Sequence, residues 1–364
     1  MTTLDLHASV DDLTRQLIDI PSVSGGEAAI ADAVEKALSE CPHLTLTRDG
    51  DAIVARTMLG LSERVIIAGH LDTVPIKENV PSFPTLDGTG IMGRGAVDMK
   101  GGVAVMLSLA AELIAPSRDI TWVFYDHEEV EESKNGLGRL ARRHPELLSG
   151  DFAVLCEPTQ AQIEGGCNGT LRMNIVLPGK AAHSARSWKG VNAIHAAAPV
   201  LAALAAYEAR TVEVDGLEYR EGLNAVGVSG GIAGNVIPDE CVISVNYRFA
   251  PSLTTDEALQ HVRDVVAASG VGEFSTEVTD RADACRPGLD VPLAQSFVDA
   301  VASTGAPEPR AKLGWTDVAR FGALGIPAVN YGPGDPELAH SDLEWCAIDE
   351  IHQCRAGLAT WLTT

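Results

Sequence analysis

Several short stretches of the chain carry side chains of the kinds that hold metal ions or move protons. In GHLDTVP, His70 and Asp72 stand two apart in an extended segment and so share a face. A carboxylate so placed can fix the second ring nitrogen of a metal-binding histidine. Asp98 lies in the glycine-rich turn GRGAVDMKGG. It can be read as a helix cap, as part of a phosphate cradle, or as a carboxylate shared by two cations. The cradle is the poorest fit, because GxGxxG is absent and an aspartate at a helix mouth repels phosphate. Glu128 and Glu129 adjoin in YDHEEVEES. Neighbouring extended side chains diverge, so one could ligate a cation while the other addresses a water. The plain alternative, a solvated acidic loop, suits Glu131 and Glu132, and the divergence puts His127 on the wrong side relative to Glu128. Glu157 closes FAVLCE, where an exposed strand end is the ordinary reading, and His340 in GPGDPELAHSD reads singly as a loop histidine.

The elements around these residues make their positions informative. Helical patterns at about 8–20 and 26–40 precede short strands near 44–57, the buried strand RVIIAG (64–69) and a helix over 99–115. The strand ITWVFY (120–125), a helix near 136–144 and the strand FAVLCE (152–157) follow. Short apolar strands alternating with helices predict an α/β domain with a mostly parallel, mixed sheet. Chemistry in such sheets collects beyond the carboxyl ends of the strands, which is where HLD, DHEE and CEPT all fall.

From about 169 the texture changes to strand–helix–strand–strand–helix–strand, the order of an α+β layer of ferredoxin-like type. After Pro287 the α/β texture returns, with helix 291–303, a strand at 326–330 and a closing helix at 349–362. The predicted division is a discontinuous catalytic domain, 1–168 and 287–364, interrupted by an inserted domain at 169–286.

Composition limits the partners. The 364 residues are 46% hydrophobic, ample for a core, and carry a net charge of -23, which argues against nucleic acid and anionic membrane. The alanine-rich stretches 101–115 and 191–207 are too short or too interrupted to span a bilayer and read as buried helices. The opening MTTLDLHASVDD shows no secretory pattern, and seven cysteines without a CxxC pair fit a reducing compartment, so a cytoplasmic location is expected.

Taken together, GHLDTVP, GRGAVDMKGG, the glutamate pair in YDHEEVEE, CEPT and AHSD resemble the M20 family of metallo-amidohydrolases and peptidases in order and spacing over nearly the whole chain. The resemblance implies two divalent metal ions, with His70 and Glu157 on one, Glu129 and His340 on the other, and Asp98 bridging. It makes Glu128 the general base that activates the metal-bridging water and Asp72 the residue that holds His70. Charge balance agrees: two dications against Asp98, Glu129, Glu157 and one hydroxide sum to zero. Nitrogen and oxygen donors without thiolate suit Zn2+, with Co2+ or Mn2+ as substitutes.

The resemblance also makes the inserted domain a lid and homodimer surface. PGKAAHSARSWKGVNAI matches a family segment except at Ser187, where the family often has proline, and implies that His183 stabilises the oxyanion of the partner subunit's site. GGIAGNVIPDECVISVNYR implies Asn235 as a second oxyanion donor and Arg248 as a substrate-carboxylate clamp. Arg186, and Gly314 in GWTDVARF, are further expected substrate contacts. Glu157 in place of aspartate resembles the deacylase and carboxypeptidase branches. The combination of GGCNGTLR, GWTDVARF and NYGPGDPELAH is similar to the branch that cleaves N-succinyl-L,L-2,6-diaminopimelate into succinate and L,L-2,6-diaminopimelate, a small N-acyl diamino acid substrate. The nearest alternatives are an N-acetylornithine deacetylase, an aminoacylase or a carboxypeptidase. A catalytically silent binding protein of the same fold fits less well, because the ligand set and Glu128 are intact.

Overall fold

The computed structural model describes residues 3–364, and the chain divides into two compact units. One contains the residues up to Gly165 together with Pro287–Arg310 and Arg320–Thr364; the other contains Gly166–Arg286 and Ala311–Ala319.

The first unit is built on a mixed sheet with a parallel centre. Asp119–Tyr125, Arg64–His70, Phe152–Leu155 and Ala328–Asn330 lie side by side and parallel. Ala52–Arg56 and Thr45–Asp49 extend one side antiparallel, and Glu164–Gly165 pairs antiparallel on the other. The central strands are buried almost throughout and rich in Val, Ile and Phe, as strands covered on both faces must be. Helix Gly101–Glu112 is buried from Gly101 to Ala110, matching its uniformly apolar sequence. The closing helix Ile348–Thr363 returns the chain to this core, where Trp361 packs 4.8 Å from Phe297 and 5.8 Å from Phe152, centroid to centroid. Two glycines permit close approach near the strand ends. A Cβ at Gly69 would meet the Met99 side chain at 2.5 Å, and one at Gly102 would collide with the Cys156 carbonyl oxygen.

The second unit has the antiparallel sheet order Gly222–Gly230, Glu240–Phe249, Gly169–Pro178, Ser275–Ala282, with helices Ala193–Ala205 and Thr255–Ala268 packed against it. This is the ferredoxin-like arrangement, with an added hairpin, Thr211–Val214 and Leu217–Arg220, between the first helix and the next strand. Strand Glu240–Phe249 alternates strictly, with Cys241, Ile243, Val245, Tyr247 and Phe249 inward. Thr254 and Glu257 close a capping box at the second helix, a signal present in the sequence TTDE. The segment Ala311–Ala319 joins this unit through hydrogen bonds that no sequence pattern announces: Asn168 N–H donates to Lys312 O at 3.2 Å, and the Trp315 indole donates to Asp283 O at 3.2 Å.

One expectation needs correcting. Helix Ala193–Ala205 is not buried all round; Ala193, Ala197, Val200 and Leu204 face the sheet while Ile194 and several alanines are exposed. Alanine content alone does not distinguish a helix enclosed by its own chain from one with an apolar outer face. All seven cysteines are free, and among the described residues no helix is long and apolar enough to cross a membrane.

Candidate metal centre and its surroundings

The parallel strands of the first unit deliver their carboxyl ends to one edge. His70 is the last residue of Arg64–His70, Glu128 and Glu129 follow Asp119–Tyr125 by a short turn, and Glu157 stands two residues beyond Phe152–Leu155. His340 arrives from the loop after Ala328–Asn330, at positive φ. Asp98 sits in an extended conformation just ahead of helix Gly101–Glu112, whose N-cap is Lys100, so the helix-cap reading does not hold.

Three overlapping groups have ligand atoms within 4.8 Å of one another: His70, Asp98 and Glu157; Asp98, Glu129 and His340; and His70, Glu128 and Glu129. Asp98 presents Oδ1 to His70 Nε2 at 2.9 Å and Oδ2 to His340 Nε2 at 3.5 Å, so its two oxygens face different histidines. His340 Nε2 lies 3.0 Å from Glu129 Oε2. The donors are imidazole and carboxylate only, and they fit a pair of borderline-hard divalent cations sharing one aspartate. The two halves differ in exposure, the His70 side chain at 1% against 54% for His340.

Asp72 does more than orient one ring. His70 Nδ1 is 3.0 Å from the Asp72 main-chain carbonyl and 3.6 Å from its carboxylate, so the carbonyl is the nearer partner that leaves Nε2 for a cation. The Asp72 carboxylate accepts from the N–H of Glu128 at 2.9 Å, from that of Glu129 at 3.1 Å, and from Ser24 Oγ at 2.6 Å. It therefore holds the main chain of both glutamates. Ser24 was not singled out from sequence; the only trace is its place in the turn-forming run PSVSGG. His127, at positive φ, turns to Asp126 at 2.8 Å and Glu27 at 3.3 Å.

Electrostatics follow from this crowding. Burial disfavours charge on Asp72, yet His70, Ser24 and the Glu128 N–H hold its carboxyl at about 2. Burial likewise opposes ionisation of Asp98, but the two histidines keep it well below the usual carboxylate range. Glu129 is raised, chiefly by burial. His340 is lifted to about 10 by Asp98 and Glu129, and His70 is held well above its ordinary value by Asp72 and Asp98 in spite of complete burial. Carboxylates that favour a proton on each imidazole equally favour a metal cation there.

In the second unit, His183 and Asn235 are brought together. His183 pairs with Val236 across a short antiparallel bridge, and Ser184 N–H donates to Asn235 O at 2.9 Å. Both residues are exposed, as are Arg186 and Gly314. Arg248 is half-buried on the sheet face away from the helices, with Arg172, Asn174, Ser244 and Asn246 lining the same depression. Burial and the nearby Arg172 lower the Arg248 guanidinium from its ordinary value, so an incoming carboxylate would relieve like-charge repulsion there. Arg172 is a second cation that sequence reasoning missed, because an arginine in TLRMNIV reads as an ordinary outward strand residue.

Residues 66–364 match the sequence pattern of peptidase family M20/M25/M40. The chain belongs to this family. Among M20 relatives, it is 45% identical to a Corynebacterium glutamicum succinyl-diaminopimelate desuccinylase, over 99% of this chain and 98% of that protein. It is 53% identical to a Mycobacterium tuberculosis protein provisionally named succinyl-diaminopimelate desuccinylase, over 96% of each. Among solved structures, a Staphylococcus aureus tripeptidase superposes with a TM-score of 0.79 at 20% identity, covering 99% of this chain and 98% of that one. A Bacillus subtilis protein described as a dinuclear metal binding peptidase from the M20 family superposes at 0.74 with 17% identity, covering 98% and 97%. The M20 fold class, α/β with a mostly parallel central sheet, is thus shared along the whole chain.

Proposed function

We propose that the protein is a metal-dependent amide hydrolase that cleaves N-succinyl-L,L-2,6-diaminopimelate to succinate and L,L-2,6-diaminopimelate. The observation that carries this reading is the 45–53% identity to desuccinylases over nearly the full length of both partners. The gathered ligands support it: His70, Asp98 and Glu157 would hold one ion, and Asp98, Glu129 and His340 the other. Two bound divalent cations, Zn2+ by donor type and Co2+ or Mn2+ as substitutes, would lower the pKa of a shared water and polarise the amide carbonyl.

The rest of the chemistry falls to the chain. Glu128 takes the proton of the attacking water and returns it to the leaving amine. Asp72 keeps Glu128 in reach of that water through the Glu128 N–H, and Ser24 Oγ donates to the same carboxylate. His183 and Asn235 supply donors to the developing oxyanion. Arg248, with Arg172 beside it and with Arg186 and Gly314 on exposed segments, accepts the substrate carboxylates.

Dimerisation through the second unit belongs to the same reading. Strand Gly222–Gly230 is an edge strand with Val226 64% and Val228 53% exposed. Pairing with the same strand of a second copy would cover that edge. His183 would then serve the neighbouring protomer.

The test is to supply the purified, metal-loaded protein with N-succinyl-L,L-diaminopimelate, N-acetylornithine and aminoacyl amides, and to measure release of primary amine. Succinyl cleavage should exceed the others by orders of magnitude in kcat/KM. A preference for the acetyl substrate would make the protein a deacetylase of the same family.

A further inference from the structure

We infer that Glu344 is a positioning residue for the metal centre: its carboxylate, joined to Arg94, sets the Asp98 main chain against the His340 loop and so completes the group formed by Asp98, Glu129 and His340. The inference rests on the two-ion reading above.

The Glu344 side chain is 1% exposed and both of its oxygens are used twice. Oε1 accepts from the N–H of Val97 at 2.9 Å and of Asp98 at 3.1 Å. Oε2 accepts from the N–H of Gly95 at 3.0 Å and from Arg94 Nη1 at 2.9 Å. A buried carboxylate so satisfied is a strong, directional anchor. The other main-chain bonds within this segment, Ala96 N–H to Gly93 O at 3.0 Å and Lys100 N–H to Gly95 O at 2.7 Å, do not involve Asp98. Gly95 is left-handed at φ +84, and Asp98 and Met99 depart from helical values at ψ 94 and ψ 41. Regular secondary structure therefore does not define the Asp98 main chain; Glu344 holds its N–H, while the carboxylate meets His70 and His340.

The same carboxylate ties in the other ligand loop. Glu344 follows His340 by four residues, and Gly93 N–H donates to its main-chain oxygen at 3.1 Å. Arg94 Nη1 also reaches Ser341 O at 3.1 Å, and Arg94 Nε reaches Pro75 O at 3.1 Å. Segments nearly 250 residues apart in sequence are thus locked together beside the two ligands they carry. His70 and Glu157, by contrast, stand at or just past central sheet strands and owe their placement to the sheet. Loss of Glu344 should consequently damage the Glu129–His340 half of the centre more than the His70–Glu157 half.

The variants are Glu344→Gln and the double substitution Arg94→Met with Glu344→Met. Gln keeps the shape but turns a donor toward main-chain N–H groups. The double variant removes both members of the buried ion pair, so no lone charge is left behind, while the N–H groups of Gly95, Val97 and Asp98 lose their acceptor. Chelator-stripped wild type and variants, checked for fold by circular dichroism, are titrated with Zn2+ by calorimetry, and bound metal is counted. Wild type should take two ions. Both variants should bind the first within about threefold of wild type and the second roughly 10–100-fold more weakly, the usual effect of losing a residue behind a metal ligand. Activity lost at limiting Zn2+ should return at excess, with KM little changed. Folded variants that bind both ions as wild type does, or that lose both equally, overturn the inference while the two-ion reading stands. A wild type that binds a single ion overturns both.

Discussion

In the first unit, His70 is enclosed and flanked by Asp72 and Asp98, and Asp72 in turn accepts from two main-chain N–H groups and a serine hydroxyl. In the second unit, His183, Arg186, Asn235 and Gly314 are all exposed. The first arrangement is over-determined by its own unit, and each ligand has a reason for its position there. The second offers functional side-chain types on a surface that its own unit does not enclose. On the proposed reading, the first unit alone would hold the metal ions, whereas the second unit's residues would need a substrate or a second copy of the chain to enclose them.

The sharpest way to break this contrast is at the glutamate pair. Glu128→Gln should lose about 10²–10⁴-fold in kcat while still binding two ions, because it removes proton transfer and no ligand. Glu129→Ala should instead release the ion on the His340 side, as metal counting will show. The reverse pattern would make Glu128 the ligand and Glu129 the base.

Next comes the second unit. His183→Ala should lose roughly 10²–10³-fold in kcat with both ions retained. Mixed with Glu128→Gln protein and allowed to exchange subunits, it should recover about a quarter of wild-type activity, since a random mixture is half heterodimer with one intact site each. No recovery after demonstrated exchange would place His183 in its own protomer's site.

A smaller effect is expected at Arg172. Arg172→Met should raise KM severalfold and leave kcat nearly unchanged, since it would remove attraction for a substrate carboxylate and no reacting group. Equal losses in both would move Arg172 into the chemistry.

The smallest effect concerns stability and tests how closed the first unit is. Lys100 is buried, its Nζ donating to Ile20 O at 2.8 Å, and burial drops its pKa to about 7. Between about 7 and the ordinary lysine value the unfolded chain binds the extra proton, so stability should rise with pH across that window. Urea midpoints of wild type should climb relative to Lys100→Met from pH 7 to pH 10, with the difference flat below pH 6. An unchanging difference would mean that Lys100 stays charged in the fold.

Much of the architecture was legible because its signals are local. RVIIAGH, ITWVFY and FAVL declare buried strands by composition, and HLD, DHEE and CEPT declare their strand ends by order alone. The hairpin at 211–220 and the short sheet joining Phe83–Pro84, Gly90–Met92 and Trp345–Ala347 were not legible. Their strands are brief and lack a sustained alternation to detect. Ser24, Arg94, Arg172 and Glu344 escaped notice for a related reason. Each does its work through main-chain atoms or neighbours distant in sequence, and nothing around it departs from an ordinary loop or strand.

By itself the sequence determined which residue types stand at which strand ends, and hence the ligand chemistry, because hydrophobic periodicity and residue identity are properties of a few consecutive positions. Only the tertiary structure decided which oxygen of Asp98 faces which histidine, that the Asp72 carboxylate holds the glutamate loop as well as flanking His70, and that Glu344 clasps the turn bearing Asp98. These are distances between chain segments tens to hundreds of residues apart, and such distances exist only once the sheet has closed and its loops have packed.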